Sequence, residues 1–418
     1  MMGDFSVNHV SHSTSGGGAA TAAYRLHTAL LASGMASRMT VSNETDENEI
    51  STVLPRKTWR RYLQRKWSKH LNKTYAAKQV NGLSSLGYTL SGLGENLNRQ
   101  PPHIVNLHWV NFDFLSIAEI GALTQPVVWT LHDMWAFSGA EHTSELDGWR
   151  NGYSSDGTRG FDLNRWVWER KAKHWKRPFQ IVCPSHWLAE CVQQSALMRD
   201  WPVSVIPNPI DTDFWQPFDK EQARRELSLP RDVPLVLFGA VRATDDPNKG
   251  FSHLVSAMKQ VHAEIHDVQA VVFGSDKIDV EFPYPVHFTG RIDDKRLLNR
   301  IYSAADVFVL PSRCEVLGYT GMEAMCSGVP VVAFNVGGLP DLVPNSQLGY
   351  LARPFDEDDL ARGIAEILNN RETERVHERK LKLRAHVEAN FAPHVVAEQY
   401  RAVYEKIWRE YEMPVHHS

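Results

Sequence analysis

A chain of 418 residues is too long for one ordinary domain, and its 43% hydrophobic content suffices for two cores, which excludes a disordered protein. No apolar run approaches about 18 residues and no basic leader precedes the first strand, so neither a membrane-spanning helix nor a secretory segment is expected. The net charge of −4 divides unevenly, with 21 Lys+Arg against 17 Asp+Glu in residues 1–205 and 24 against 32 beyond, so the first half is expected to meet an anionic partner.

The first strand is expected at Phe5–Val10, then a Gly-rich turn, Ser15-Gly-Gly-Gly18, and a helix of good formers, Ala19–Ala32, ending at Gly34. Met39–Val41 reads as the next strand. From Arg56 to Lys73 the chain carries eight Lys/Arg and no acid, and Trp59, Leu63, Trp67 and Leu71 recur every fourth residue as one stripe. Tryptophans on a basic helix suit an anionic membrane surface; a helix packing the stripe on its own domain is the alternative. Asn164–Arg177 repeats that composition. Strands follow at Ile104–His108, Val127–Leu131, Gln180–Cys183 and Val203–Ile206, with helical segments between them. A Pro-rich stretch, Pro207–Trp215, marks a hinge. The alternation then restarts with strands at Pro234–Gly239, Val268–Gly274, Val286–Gly290, Val307–Leu310 and Val329–Phe334, helices near Ser252–Ile265 and Met322–Cys326, and a tail helix from Pro393 to about Glu412. Tyr400, Val403, Tyr404, Ile407 and Trp408 form its apolar stripe. Alternating strand and helix is the α/β, parallel-sheet pattern. The expected boundaries are 1–207, a hinge at 208–216, 217–394 and a final helix at 395–418. Cys183, Cys191, Cys314 and Cys326 have no Cys-x-x-Cys spacing and suit a reduced cytosol as buried thiols. Motifs of nucleic-acid-binding domains are absent, and no nucleic acid is expected as partner.

The richest stretch for chemistry is Pro311–Phe334. Glu315 falls in the loop after a strand and Glu323 one turn into a helix. Between them the N–H groups of Leu317, Gly318 and Tyr319 open at the helix N-terminus, where donors and dipole favour an anion. A pyrophosphate there would have a carboxylate on either side to accept from sugar hydroxyls. Gly16-x-Gly18 fits the start of a dinucleotide fingerprint, but Thr21 replaces the third glycine and the first well-placed acid, Glu44, comes late. An NAD-dependent oxidoreductase is therefore the rival reading.

Glu315, seven residues, Glu323, then Ala324-Met-Cys-Ser-Gly-Val-Pro-Val-Val-Ala and Gly337-Gly338, resembles the signature of family-4 retaining glycosyltransferases. The resemblance implies the GT-B fold: two Rossmann-like domains with parallel sheets facing each other across a cleft, and a C-terminal helix crossing back to the first. It implies a sugar moved from a nucleotide diphosphate sugar to a glycan or lipid-linked acceptor, with retention of configuration and no metal. Arg242 and Lys249 resemble the family's diphosphate-neutralising pair, and Glu315 and His132 its contacts to the donor sugar, Asp133 helping to orient the His132 ring. Glu323 would bind ribose, Gly17 and Gly18 would admit a phosphate or acceptor, and backbone near Gly290 and Arg291 would meet the base. Such a protein works in surface polysaccharide biosynthesis, in the cytoplasm or on the inner membrane face. A GT-B carbohydrate-binding subunit without turnover is a further alternative.

Overall fold

Buried runs of Val, Ile and Leu without polar alternation call for sheets covered on both faces, and such sheets are parallel. The computed structural model describes residues 5–42, 49–53, 58–76, 82–101, 103–144, 147–154, 160–240, 244–276, 281–370 and 373–412. The chain divides into two compact units, Met1–Pro209 with Pro393–Ser418, and Ile210–Ala392.

The first unit holds β1 (Val7–Val10), β2 (Ser37–Val41), β3 (Ile50–Thr52), β4 (Ile104–Leu107), β5 (Val127–Thr130), β6 (Gln180–Cys183) and β7 (Val203–Val205). They form one sheet in the order β3-β2-β1-β4-β5-β6-β7, every pair parallel. The short β3 lies beyond the strands read from sequence. The last helix, Pro393–Glu412, belongs to this unit, where Val396, Ala397, Tyr400, Tyr404 and Trp408 pack with Val7, Leu26, Ile104 and Val128. Its tyrosines also reach the sheet: Asn106 Nδ2 donates to Tyr404 Oη at 2.6 Å, and Tyr400 Oη lies 3.1 Å from Thr130 Oγ1.

The second unit holds β8 (Leu235–Gly239), β9 (Gln269–Phe273), β10 (Val286–Phe288), β11 (Val307–Leu310), β12 (Val331–Phe334) and β13 (Gly349–Ala352), parallel in the order β10-β9-β8-β11-β12-β13. Leu235, Leu237, Phe308 and Leu310 enter one core layer, and Val236, Phe238, Val307 and Val309 the other. That is the two-residue period of a strand buried on both faces.

The helix Trp59–Leu71 begins at Thr58, whose side chain accepts from the Arg61 N–H. Trp59, Tyr62, Leu63 and Trp67 are exposed, Trp59 by 70% and Trp67 by 53%, whereas Leu71 is buried. The apolar stripe is thus outward over three of its four positions and turns in at the last. The helix Leu163–His174 is different: Leu163, Val167 and Lys171 are buried at every fourth position, so this second basic segment packs on its own unit.

Candidate functional site

In an open parallel sheet, loops at the carboxyl ends of neighbouring strands part where strand order reverses, and the crevice there takes ligands. In the second unit β8 is flanked by β9 and β11, so that point lies between the loops after β8 and β11. These two loops are fastened together. Arg313 N–H donates to the Asn248 carbonyl at 2.9 Å, and a Cβ on Gly250, which sits at φ +71°, would fall 1.9 Å from the Pro311 carbonyl oxygen. Asp246 caps the short turn Pro247–Lys249. The result sets Lys249 Nζ 3.2 Å from Glu315 Oε2, with both side chains partly exposed. The Glu315 carboxylate, winning over burial, raises the Lys249 ammonium above its usual range.

Glu315 is held from behind as well. Its carbonyl accepts from the Gly338 N–H at 2.9 Å, and Gly337, at φ +55°, leaves no room for a Cβ against it. The helix Tyr319–Cys326 then starts from Gly318 at φ +91°, with Leu317 buried beneath. Glu315 and the helix N-terminus come together as the spacing implied. Glu323 is the fifth residue of that helix and is buried, accepting from Tyr302 Oη at 3.3 Å. At Gly290 the carbonyl accepts from Gly274 N–H at 2.8 Å, while Arg291 points outward and pairs with Asp293. Arg242, Glu44 and the Arg56–Lys57 end of the basic stretch lie outside the described residues.

The first unit has its own point of reversal, between β1 and β4. His132 follows β5, and its Nε2 lies 3.0 Å from His108 Nδ1, just after β4; His108 Nε2 lies 2.9 Å from His9 Nδ1, on β1. Burial lowers the His132 pKa to about 4, a neighbouring Asp133 charge opposing it. Asp133 does not orient His132, contrary to expectation. Its Oδ2 accepts from His142 Nδ1 at 2.5 Å and Trp109 Nε1 at 2.9 Å, and its Oδ1 from the Trp135 N–H, because the chain turns sharply after His132 and carries the carboxylate the other way. Burial would raise this carboxyl, but those partners hold it below its usual range.

Lys171 is fully buried and donates to the carbonyls of Trp135, Ser138 and Gly139, pinning the loop that follows His132. Lysine ordinarily marks a solvated face, so only its four-residue spacing from Leu163 and Val167 hinted at this role. Gly17 and Gly18 open the helix Gly18–Ala32, and a Cβ at either would meet nothing within 4 Å. In the same unit, His12, Trp109 and Phe112 form edge-to-face pairs at 4.6–5.9 Å. Phe112 and Asp113 both adopt positive φ, 55° and 62°, and Phe112 is exposed. The turn is tied to the basic helix through Arg61, which donates to the Asp113 carbonyl at 3.2 Å.

Two Rossmann-like units with parallel sheets, one bearing a Lys–Glu pair beside a helix N-terminus, have the GT-B architecture. The profile described as Glycosyltransferase Family 4 matches residues 16–214, and that described as Glycosyl transferases group 1 matches residues 234–370. The chain belongs to this family. It is 41% identical over 178 residues to the sulfoquinovosyl transferase SQD2 of Arabidopsis thaliana, covering 40% of this chain and 33% of the relative. It is 30% identical over 184 residues to D-inositol 3-phosphate glycosyltransferase 2 of Catenulispora acidiphila, covering 40% and 42%. The chain thus spans between a third and about half the length of these curated relatives. Among solved structures, sucrose-phosphate synthase of Thermosynechococcus elongatus superposes with a TM-score of 0.64 at 21% identity over 97% of this chain and 100% of that one. HepE of Anabaena, in complex with UDP-glucose, superposes at 0.62 and 15% identity over 96% and 99%.

Proposed function

We propose that the protein transfers a sugar from a nucleotide diphosphate sugar to a glycan or lipid-linked acceptor, with retention of anomeric configuration, in surface polysaccharide biosynthesis. The observation that carries this reading is the Lys249–Glu315 pair at the strand-order reversal, beside a helix N-terminus. The carboxylate occupies the place next to Lys249 that a diphosphate oxygen would take. A donor arriving there binds Lys249 and releases Glu315 to accept from the sugar's hydroxyls. As the glycosidic bond breaks, negative charge grows on the diphosphate, and Lys249, Arg242 and the helix N-terminus stabilise it without a metal ion. The ammonium's raised pKa keeps it charged throughout the neutral range.

Retention here runs on one face of the sugar, the leaving phosphate taking the acceptor's proton, as the resemblance to the family implies. His132 meets a sugar hydroxyl from the first unit, Glu323 the ribose, and Gly290–Arg291 the base. Complexes of HepE with UDP and UDP-glucose support a nucleotide-sugar donor. No helix among the described residues is long and apolar enough to cross a membrane, and the exposed basic helix Trp59–Leu71 supports peripheral attachment at the inner membrane face, where a lipid-linked acceptor would wait.

The test is Lys249→Ala. Removing one charge-assisted contact to the leaving group costs about 2–4 kcal/mol of transition-state stabilisation, so donor hydrolysis and transfer fall by roughly 30- to 1,000-fold in a folded protein. Near-normal turnover would remove the loop from the site. Binding of a nicotinamide cofactor in place of a UDP- or GDP-sugar would establish the oxidoreductase reading, and a bound donor that is never hydrolysed would establish a subunit without turnover.

A further inference from the structure

The row of histidines behind the first unit's site has a property that none of its members has alone. His9, His108 and His132 come from three adjacent parallel strands or their ends, joined at 2.9 and 3.0 Å. His9 and His108 are buried and neutral, desolvation holding both well below the usual histidine range. A neutral imidazole has one donor and one acceptor. His108 uses both nitrogens, one toward each neighbour, so it donates to one and accepts from the other. Both hydrogen bonds must therefore run the same way along the row.

Only two arrangements satisfy this. In one, His132 Nε2–H donates to His108 and His108 Nε2–H donates to His9, which leaves an N–H on His9 Nε2. In the other, His9 Nδ1–H donates to His108 and His108 Nδ1–H donates to His132 Nε2, which leaves a lone pair on His9 Nε2. That nitrogen is buried and has no hydrogen-bond partner among the described residues. An orphaned buried N–H is rarer than an under-used acceptor, so the second arrangement is the stable one. The ring of His27 lies edge-on to His9 at 5.9 Å, and like-charge repulsion between the two helps to keep His9 neutral in either arrangement.

We propose that His9 and His108 are positioning residues that hold His132 as its Nδ1–H tautomer, so that it meets the donor sugar as a hydrogen-bond donor to a hydroxyl oxygen. The use of that N–H rests on the proposed function; the tautomer does not. A fixed donor selects the orientation of one hydroxyl, where a ring free to exchange tautomers would accept either. Information about the sugar would thus be held two residues away from it.

The experiment is nitrogen-15 NMR on histidine-labelled protein without ligand, with His132 assigned by its loss in His132→Gln. The expected result is a protonated Nδ1 and an unprotonated Nε2 on His132 at neutral pH. His9→Phe removes the end of the row and should move His132 toward the Nε2–H form that free imidazoles prefer, at unchanged secondary structure. Should His9→Phe fail to fold, His108→Phe cuts the row one step nearer and gives the same readout. A wild-type His132 protonated on Nε2, or one whose tautomer ignores both substitutions, overturns the proposal. In the same variants kcat for hydrolysis of a UDP- or GDP-sugar should fall about tenfold with its KM little changed. A tautomer that shifts while kcat stays constant would leave the row intact and strip His132 of its part in sugar transfer.

Discussion

Protonating a buried ring is costly, and here it gives the first unit a pH dependence with a definite sign. Below about pH 6.5 the unfolded chain takes up protons on His9 and His108, whereas the folded chain does not, because burial disfavours both cations. The unfolded state then binds more protons, and stability falls with pH by roughly 1.4 kcal/mol per pH unit for each histidine. Urea midpoints of the wild type should drop between about pH 6.5 and pH 5, and less steeply in His9→Phe; flat midpoints would mean that the rings charge freely in the fold. A second prediction concerns Phe112, whose φ of 55° puts a bulky side chain in left-handed backbone. Phe112→Ala and Phe112→Gly lose the same ring contacts, so their difference isolates the backbone. Glycine should be the more stable of the two by about 1 kcal/mol, reversing the usual order. Thermal melts showing alanine ahead would mean that the turn is unstrained.

The helix Trp59–Leu71 shows how far its elements could be read from the chain. Basic flanks and a tryptophan every fourth residue were visible, but not which way the stripe faces, since either choice satisfies the same periodicity. The structure places Trp59, Leu63 and Trp67 outside and Leu71 inside. Replacing Trp59 and Trp67 by Ser should therefore leave the melting temperature within about 1 °C, given the small cost of exposed substitutions, while weakening sedimentation with anionic liposomes even at low salt. Wild-type protein that stays in the supernatant would point to a soluble acceptor. Elsewhere eleven of the thirteen described strands and the tail helix were legible because their apolar runs are strong, and the Glu315–Glu323 motif because it is local, whereas the short strands β3 and β13 were not read. The histidine row and the Lys171 staple were not legible. Each depends on register between strands or loops far apart in sequence, and Lys171 is a residue type that spacing rules treat as solvated. Asp133 was misassigned for the related reason that adjacency in the chain does not place two side chains together.

At the scale of the molecule, the second unit is one continuous segment, Ile210–Ala392, while the first is closed by a helix that follows it. Val396, Tyr400, Tyr404 and Trp408 each contribute about 1.5–3 kcal/mol of burial, a sum comparable with the whole stability of a domain, about 5–15 kcal/mol. A chain ending at Ala392 should lose the cooperative unfolding of the first unit, seen by hydrogen exchange as unprotected amides in β1, β4 and β5, while amides of β8 and β11 stay protected. Retained protection in β1 would show the helix to be an accessory. The same arrangement sets a timetable on the ribosome. The first sheet leaves the exit tunnel early but waits for its last helix until all of the second unit has been made, a delay of about 10–40 s at about 5–20 residues per second. During that interval Val7, Leu26, Ile104 and Val128 lack their cover, and the nascent chain is a client for any factor that shelters apolar surface.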